Sequence, residues 1–332
     1  MGRVVLVTGV AGKLGSETAR RLSTDPEVDK VVGVDVLPPR GDLGSVRFVR
    51  ADIRNPVIAR VLAVEDVDTV VHMSVLATPG RVGGRTSMKE TNVIGTMQLL
   101  AACQRAPDVR RLVLKSSTAV YGASPRDPAI FTEDTEPRRL PRSGYVKDCS
   151  EVEGYVRGFG RRRDDVALTV LRCANLLGPR LDTPFAQYLR LPAVPTVLGF
   201  DPRVQLLHVD DALEVLHRAA VGTLPGTFNV AGDGVLTLSQ LVRRLGRPTV
   251  PVPSVGVGAV GQTLRRTAGL DFSGDQLAYL TYGRVVDTTA LRERFGYTPK
   301  WSTARTLDDF AEAGRVEDAV AAAGLTAGCG DG

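Results

Sequence analysis

Three glycines near the start of the chain, Gly9, Gly12 and Gly15, are spaced for a loop that holds phosphate groups. An apolar run at 3–8 precedes the loop and a helical pattern at 13–23 follows it, so the loop would join a buried strand to a helix. In such a turn Gly9 allows the tight bend, Gly12 leaves room for a pyrophosphate, and Gly15 lets helix and strand pack closely. The segment predicts dinucleotide binding at a helix N-terminus, with a purely structural glycine turn as the alternative.

The kind of dinucleotide is indicated by an acidic residue at the end of the second predicted strand. Asp35 is placed to accept hydrogen bonds from ribose hydroxyls and to repel a 2′-phosphate, which favours NAD over NADP. Arg40 could reach back and favour NADP, and Asp35 could instead cap the strand end. Within the glycine loop, Ala11, Lys13 and Leu14 are also predicted to contact the cofactor.

Further candidate cofactor contacts follow the third and fourth predicted strands. Asp52 could bind the adenine amino group while Ile53 packs on the ring, or Asp52 could cap the next helix. Met73 and Ser74 stand where the fourth strand ends, and a nicotinamide ribose could lie against the backbone there. We interpret His72, just before them, as a structural residue rather than an acid or base.

Two more polar residues are predicted to act near the sheet. Ser117 ends the fifth predicted strand, and its hydroxyl could hold a substrate hydroxyl or carbonyl during proton transfer. Alternatively, Ser117 closes the strand through a local turn. Asn92 lies inside a predicted helix, where Asn is locally unfavourable, so it indicates a polar role against the sheet unless the side chain is solvated.

The elements that position these residues alternate between strand and helix. Val- and Leu-rich runs without alternation are typical of a parallel sheet covered on both faces. Right-handed crossovers then predict an α/β fold with a Rossmann-type, doubly wound parallel sheet, and a ligand at the carboxyl ends of the strands. The predicted strands lie at 3–8, 30–35, 46–50, 68–72, 110–116 and 167–172. The predicted helices lie at 13–23, 55–63, 86–105, 144–160, 209–220, 237–245, 256–267 and 287–295.

The chain is predicted to divide near residue 175. Residues 1–175 would form the NAD-binding domain, and a strand and helix at about 204–232 would return to it. After 175 prolines recur and helices shorten, so 176–315 is predicted to be mainly a smaller C-terminal substrate lobe. The last segment, 316–332, ends in Gly-Cys-Gly-Asp-Gly and is predicted to be a flexible tail.

Composition narrows the possible partners. The 332 residues are 43% hydrophobic and carry a net charge of +5. The one basic triplet, Arg161–Arg163, is followed by Asp164 and Asp165, which indicates a solvated helix end rather than a nucleic-acid surface. The four cysteines are far apart and predict neither a metal site nor a disulfide framework. Without a signal peptide or an apolar run long enough to span a membrane, we expect a soluble cytoplasmic protein.

Taken together, these motifs resemble those of the extended short-chain dehydrogenase/reductases, in particular the NAD-dependent nucleotide-sugar epimerases and dehydratases such as UDP-glucose 4-epimerase. The resemblance covers nearly the whole chain. The segments that carry it are TGVAGKLG at 8–15, Asp35, Asp52-Ile53, Asn92 in NVIGT, SSTAVYG at 116–122, Lys147 with Glu151, LRCANLLGP at 171–179, LLHVDDAL at 206–213, GTFNVAGDG at 226–234 and FGYTPKW at 295–301.

The resemblance implies a function and a set of roles. Bound NAD would oxidise the C4 hydroxyl of a nucleotide-activated hexose and return the hydride to the other face, which is 4-epimerisation. Ser117 would orient the substrate oxygen, while Asn175 and Arg203 would hold the nucleotide-sugar. A homodimer through the helices at 86–105 and 144–160 is also implied.

The chain departs from the family at its proton-transfer motif, Tyr-x-x-x-Lys. Lys147 and Glu151 fit the Lys and Glu that follow, and this alignment puts Ser143 where the Tyr belongs. Tyr145 is two residues before Lys147, about 200° away around a helix. Aligning Tyr145 instead puts Cys149 in the Lys position. The resemblance leaves Tyr145 or Ser143 as the proton carrier and Lys147 as the residue that holds the nicotinamide ribose.

This degenerate motif leaves the activity open between three hypotheses. The leading one is an atypical NAD-dependent epimerase acting on a nucleotide-sugar. A protein of the same fold that binds NAD without turnover is the second hypothesis. A reductase or dehydratase acting on a non-sugar substrate is the third.

Overall fold

Residues 2–75, 84–138, 144–253 and 274–322 are described in this computed structural model, so Ser143 and the helix predicted at 256–267 lie outside the described residues. The strands in these ranges are β1 (Arg3–Thr8), β2 (Val28–Asp35), β3 (Arg47–Arg50), β4 (Thr69–His72), β5 (Arg111–Ser117), β6 (Ala167–Cys173), β7 (Asn175–Leu177), β8 (Val194–Val197), β9 (Arg203–Val204), β10 (Leu206–His208), β11 (Gly226–Val230), β12 (Leu236–Thr237) and β13 (Thr249–Val252).

Helices alternate with these strands. They are α1 (Lys13–Ser23), α2 (Val57–Val64), α3 (Arg85–Lys89), α4 (Gly95–Arg105), α5 (Tyr145–Arg162), α6 (Pro184–Leu189), α7 (Val209–Val221), α8 (Leu238–Arg244), α9 (Gly274–Tyr282), α10 (Thr289–Glu293) and α11 (Thr303–Ala322). A π-helical turn, Glu90–Ile94, joins α3 to α4, and a 3₁₀ turn, Thr118–Tyr121, follows β5. None of the described helices is both long enough and apolar enough to cross a membrane.

Seven strands form one parallel sheet in the order β11-β6-β5-β4-β1-β2-β3. The strand β1 has β2 on one side and β4 on the other, so the winding reverses at β1 and opens a crevice beyond the carboxyl ends of β1 and β4. Both strands are covered on their two faces, since Val5, Leu6 and Val7 of β1 and Val70 and Val71 of β4 are fully buried. The predicted α/β class and Rossmann-type doubly wound sheet are confirmed. Each of the six predicted strands is present within two residues of its predicted bounds.

The apolar face of α5 packs on the sheet. Cys149, Val152 and Phe159 are buried in the core that includes the sheet strands, whereas the sequence left this face open between the sheet and a dimer seam. Met97 on α4 and Tyr155 on α5 remain exposed on the outer side of these helices. The homodimer stays a prediction that would use this outer side.

A second, smaller hydrophobic cluster lies in the C-terminal half. It includes Leu177 after the main sheet, Phe185 and Tyr188 of α6, Leu241 of α8 and Tyr279 of α9. The chain also returns to the main sheet through β11, which pairs with β6. The helix α11 continues to Ala322, beyond the point at which the flexible tail was predicted to begin. The division into domains itself stays a prediction.

Candidate active site

The glycine loop has the backbone geometry that phosphate binding requires. Gly9 has a positive φ of 82°, and a Cβ there would approach the Met73 carbonyl carbon to 3.2 Å. A Cβ on Gly15 would overlap the carbonyl oxygen of Gly9. A Cβ on Gly12, by contrast, would meet only that same oxygen, at an ordinary 3.5 Å. The fold therefore demands glycine at 9 and 15, while the space above Gly12 is open for a ligand.

The Asp35 side chain hydrogen-bonds this loop to the end of β2. One carboxylate oxygen accepts the Ala11 N–H at 3.0 Å, and the other accepts the Val36 N–H at 2.7 Å. Because a carboxylate has about four acceptor sites, it can still accept hydrogen bonds from ribose hydroxyls. The N-cap residue of α1 is Gly12, which has no side chain to cap the first turn, and the helix begins at Lys13 and continues through Leu14. This uncapped N-terminus and the open space at Gly12 fit a pyrophosphate.

Lys13 links the loop to the C-terminal half. Its ammonium donates to the Pro179 carbonyl oxygen at 2.8 Å. That carbonyl follows β7, so the contact crosses the crevice near the place predicted for the dinucleotide. The sequence predicted Lys13 as a cofactor contact in the glycine loop and did not indicate this long-range partner; the contact with the cofactor stays a prediction.

The pair Asp52-Ile53 lies after β3, as predicted. Arg54 pairs with Asp52 at 2.6 Å and holds the pKa of that carboxyl below its usual range. The N-cap of α2 is Pro56, so the alternative in which Asp52 caps that helix is wrong. Ile53 is buried and packs so closely on α4 that a Cβ on Gly95 would come within 2.8 Å of it.

His72 is a structural residue at the end of β4. Its two ring nitrogens lie 2.9 Å from the hydroxyl oxygens of Thr8 and Thr96, and burial lowers its pKa to about 4. The Thr8 hydroxyl in turn accepts the Met73 N–H at 3.0 Å. The neutral His72 thus helps to position the backbone of Met73 and Ser74 beside the glycine loop.

Asn92 is fully buried in the π-helical turn, so the solvated alternative is wrong. Its amide donates to the Asp148 carboxylate on α5 at 3.2 Å. Asp148 is also fully buried. This contact ties the turn before α4 to the helix that begins with Tyr145, and π-helical turns of this kind are frequent near functional sites.

The structure brings Ser117 and Tyr145 together. Tyr145 is the first residue of α5, after Gly144 with a positive φ of 113°, and its side chain lies close enough to Ser117 and Cys149 for both to influence its pKa. The Ser117 oxygen also accepts the Ala119 N–H at 3.1 Å. Ser117 therefore closes the strand through a local turn, as the alternative predicted, and its role toward a substrate oxygen stays a prediction.

Ser143 lies outside the described residues, so the choice between Tyr145 and Ser143 as the proton carrier stays a prediction. Because α5 begins at Tyr145, the residue one turn later is Cys149, and a thiol occupies the place of the family's Lys. Lys147 lies about 200° around the helix from Tyr145 and pairs with Glu151 at 3.5 Å. The role of Lys147 at the nicotinamide ribose stays a prediction.

The phenol and two nearby thiols are neutral in this environment. Burial raises the pKa of Tyr145 well above its usual value, and Cys149 adds to this effect while the neighbouring Ser117 side chain opposes it. Burial also raises the pKa of Cys149 to about 12 and that of Cys173 to about 11. In both thiols the charge of Lys115 opposes the effect of burial.

The two predicted substrate residues differ in their surroundings. The Asn175 amide donates to the Tyr279 hydroxyl at 2.6 Å, within the smaller lobe. Arg203 is exposed and donates to the Ala129 carbonyl oxygen at 2.7 Å. The next residue, Val204, is fully buried. The guanidinium of Arg203 is thus already engaged in holding a loop of the protein.

Arg284 is a candidate that the sequence did not indicate. It donates twice to the Gly122 carbonyl oxygen, at 2.9 and 2.7 Å, and its guanidinium lies 5.1 Å from the centre of the Tyr279 ring. Burial lowers its pKa. Its partner is 162 residues away in the chain, so no local pattern could have revealed the contact.

A buried polar network lies between α5 and the sheet strands next to the site. The Glu153 carboxylate on α5 accepts the Ser116 hydroxyl at 2.6 Å and pairs with Arg172 on β6 at 2.8 Å. Arg172 also donates to the Tyr121 hydroxyl, which donates to Asn229 at 2.7 Å. The network joins α5 to β5, β6 and β11. Within the described ranges, no group of three or more His, Cys, Asp or Glu side chains is arranged to hold a metal ion.

Residues 5–231 of the chain match the NAD dependent epimerase/dehydratase family. An uncharacterised protein of Mycobacterium tuberculosis is 50% identical over 312 residues, which are 93% of this chain and 83% of that protein. The UDP-glucose 4-epimerase of Thermotoga maritima, solved with UDP-glucose, is 23% identical and has a TM-score of 0.71, with 95% of this chain and 99% of that one covered. The dTDP-glucose 4,6-dehydratase of Streptomyces venezuelae, solved with NAD, is 24% identical and has a TM-score of 0.72, with 95% and 98% covered. The family match spans more than half of the chain, and the chain belongs to the NAD-dependent epimerase/dehydratase family of extended short-chain dehydrogenase/reductases.

Proposed function

We propose that this protein is an NAD-dependent enzyme that modifies a nucleotide-activated sugar, most simply as a 4-epimerase. The observation that carries the proposal is the proximity of Ser117, at the carboxyl end of β5, to the Tyr145 side chain at the start of α5. A hydroxyl that holds the substrate oxygen and a phenol that exchanges its proton are the groups that such an oxidation needs from the protein. Family membership supports the cofactor class and the substrate class.

The residues around the crevice fit NAD. The glycine loop would hold the pyrophosphate, because the space above Gly12 is open and no side chain caps α1. Asp35 would accept the adenosine ribose hydroxyls, and Asp52 with Ile53 would contact the adenine. The backbone of Met73 and the next residue, Ser74, would border the nicotinamide ribose. When bound, NAD would supply the hydride acceptor and later the hydride donor.

The chain's own residues would handle the proton. Ser117, fixed by the Ala119 N–H, would hold the C4 oxygen of the sugar beside Tyr145. The phenolate form of Tyr145 would take the hydroxyl proton as the hydride leaves C4. After the keto sugar rotates in the site and presents the other face of C4, Tyr145 would return that proton to the carbonyl oxygen as the hydride comes back. Asn175 would contact the nucleotide part of the substrate from the smaller lobe.

One feature of the chain favours epimerisation over dehydration. Loss of water from the sugar requires a second acid–base group besides the one that acts at C4. The residues that continue from Ser117 to Gly122 are Ser-Thr-Ala-Val-Tyr-Gly, and none of them is acidic. An epimerase needs only the one proton carrier that the Ser117–Tyr145 pair offers.

The second candidate is a protein that binds NAD without turnover. The raised pKa of Tyr145 and the thiol at Cys149 support this candidate, because neither stabilises a phenolate. A reductase or dehydratase acting on a non-sugar substrate is the third. These candidates predict different products, so one experiment separates them.

That experiment is proton NMR of the purified full chain with NAD and a panel of UDP- and dTDP-hexoses. New anomeric signals of the C4 epimer, absent with Tyr145→Phe, are the expected result. A 4-keto-6-deoxy product would instead identify a dehydratase. NAD binding without any change in any sugar would contradict the proposed activity and favour the second or third candidate.

A further inference from the structure

Arg284 reaches from the C-terminal half of the chain to the carboxyl end of β5. It lies between α9 and α10, and its Nε and Nη2 atoms donate to the Gly122 carbonyl oxygen at 2.9 and 2.7 Å. Gly122 is the C-cap of the 3₁₀ turn after β5, and Ser117 is the N-cap of the same turn. A single short turn therefore connects the arginine to the hydroxyl that would hold the substrate oxygen.

The backbone around Arg284 is fixed on two sides. The Arg284 N–H donates to the Arg203 carbonyl oxygen on β9 at 3.0 Å. On the other side, the Val285 carbonyl oxygen accepts the Phe131 N–H at 2.8 Å, and the Asp287 N–H donates to the Phe131 carbonyl oxygen at 2.8 Å. The guanidinium is therefore held in place before a ligand arrives, which reduces the entropy cost of binding.

The charge of Arg284 is not compensated by an ion pair with any residue that the structure describes. Its Nη1 atom also donates to none of these residues, and the side chain is only partly buried. Asp127, in the loop after Gly122, instead accepts the Ser124 N–H at 2.6 Å and the Ser124 hydroxyl at 2.8 Å. Burial lowers the pKa of Arg284, as expected for a cation without an ion pair.

Neutral side chains border the guanidinium on the side of the smaller lobe. The centre of the Tyr279 ring is 5.1 Å away, and the Tyr279 hydroxyl accepts the Asn175 amide at 2.6 Å. Asn175 begins β7, two residues after Cys173, which is opposite Ser117 in the sheet. A phenol and an amide cannot neutralise a cation. A fixed guanidinium with a free nitrogen at this edge of the sheet fits a carboxylate or a phosphate.

The position of Arg284 decides between the two anionic groups that a nucleotide-sugar can carry. The diphosphate is attached at C1, which is across the ring from C4. A carboxylate at C6 is attached through C5, the neighbour of C4. Ser117 would hold the C4 oxygen, and Arg284 is bonded to the turn that begins at Ser117. The placement therefore favours a group at C6 over the diphosphate at C1.

We propose that Arg284 binds a carboxylate at C6 of the sugar, so that the preferred substrate is a nucleotide-activated uronic acid. The inference rests on the proposed function for the placement of the sugar. Arg284 is a specificity residue in this role, and it takes part in no bond that forms or breaks. A neutral hexose would leave its guanidinium unpaired and would therefore bind more weakly.

The test compares nucleotide-sugars that differ only at C6. Titration calorimetry of the full chain with saturating NAD measures the Kd of UDP-glucuronic acid against UDP-glucose, and of dTDP-glucuronic acid against dTDP-glucose. The uronic acid is expected to bind about 10-fold or more tightly than the neutral sugar of the same nucleotide. Arg284→Gln is expected to remove this preference and to leave the Kd of the neutral sugar within about 3-fold.

The matched control is Arg294→Met. Arg294 also donates to a backbone carbonyl, that of Thr227 at 3.3 Å, and its guanidinium lies 5.3 Å from the centre of the Phe228 ring. Thr227 is near the amino end of β11, away from the crevice, so this variant should keep the preference. Arg284→Lys retains the charge without the planar fork and should keep only part of it.

A salt titration of the parent protein tests the same ion pair without a substitution, so it does not depend on how Arg284→Gln folds. The extra affinity for the uronic acid should shrink as NaCl rises from about 0.05 to about 0.5 M, because salt screens a partly exposed ion pair. A preference that is independent of salt would contradict an ion pair at C6.

The outcomes separate this inference from the proposed function. Equal weakening of both members of a pair by Arg284→Gln would assign the arginine to the diphosphate and overturn the inference. A parent protein without a preference for the uronic acid would also overturn it, even if neutral hexoses are converted. A preference that Arg284→Gln removes, in a protein that converts no sugar, would support the role of Arg284 and contradict the proposed function.

Discussion

The Tyr145 phenol lies next to the Cys149 thiol one turn later on α5, so the phenol has a neutral thiol as its neighbour on the helix. Burial is the main cause of the raised pKa of Tyr145, and Cys149 raises it further. The helix therefore works against a phenolate at the position where the proposed mechanism requires one. Substitution of Cys149 should therefore change the pKa of Tyr145 directly.

Replacing Cys149 should lower the pKa of Tyr145. In Cys149→Ala, one contribution that raises this pKa is removed, so the acid limb of the pH–turnover profile should move to lower pH. The variant should also lose about 1 kcal/mol of stability, because a buried side chain is truncated. Cys103→Ala is the matched control, since Cys103 is a buried thiol on α4 outside the site. An unchanged acid limb in Cys149→Ala would argue against Tyr145 as the titrating group.

Removing the Asp35 carboxylate should weaken NAD binding and relax the discrimination against NADP. Asp35→Ser loses both the predicted ribose contacts and the bond to the Ala11 N–H, and hydrogen bonds to a charged group contribute about 1.5–3 kcal/mol. We expect the Kd of NAD to rise about 10-fold or more, with a smaller change or a gain for NADP. Calorimetric titration of both cofactors measures this ratio, and Asp29→Ser on the same strand is the control. Equal losses for NAD and NADP would mean that Asp35 only supports the loop.

The glycine loop offers a test that separates folding from binding. Gly15→Ala should cost about 1–3 kcal/mol of stability, because its Cβ would overlap the Gly9 carbonyl oxygen. Gly12→Ala should leave stability within about 1 kcal/mol but weaken NAD binding about 10-fold, since its methyl group would enter the open space above the loop.

The control for the glycine test is Gly154→Ala on α5, where a Cβ would meet nothing within 4 Å. That variant should gain about 0.5–1 kcal/mol, as expected for alanine in a helix, with unchanged NAD affinity. Urea unfolding and NAD titration measure both quantities for all three variants. An unchanged NAD affinity in Gly12→Ala would contradict the prediction that the pyrophosphate binds at this loop.

The sheet was predictable because its signals are local. The Val-rich runs of β1 and β2 are long, unbroken and separated by the glycine loop, so their type and bounds follow from the sequence. The interpretation of His72 as a structural residue is confirmed, because its two ring nitrogens have the Thr8 and Thr96 hydroxyls as partners on adjacent elements.

The proton-transfer residues were harder to predict because their placement depends on where one helix begins. The sequence predicted this helix at 144–160, and the positive φ of Gly144 sets its first residue at Tyr145. Arg284 could not be predicted at all, because its contact with Gly122 depends on how distant segments of the chain pack.

His72 should make the stability of the protein depend on pH below neutrality. Its folded pKa of about 4 lies below the value of about 6.5 in an unfolded chain, so the unfolded state binds the proton first as the pH falls. The stability due to the neutral imidazole is therefore present above about pH 6.5 and is lost progressively toward about pH 4. Between pH 7 and pH 5 the loss amounts to about 2 kcal/mol.

His72→Gln cannot titrate in this range, so urea unfolding should show a pH dependence smaller by this amount than in the parent protein. His217→Gln, which removes a histidine paired with Asp25 at 2.7 Å away from the crevice, should keep the His72 contribution. An identical pH dependence in His72→Gln and the parent would mean that the buried imidazole is not the group that titrates.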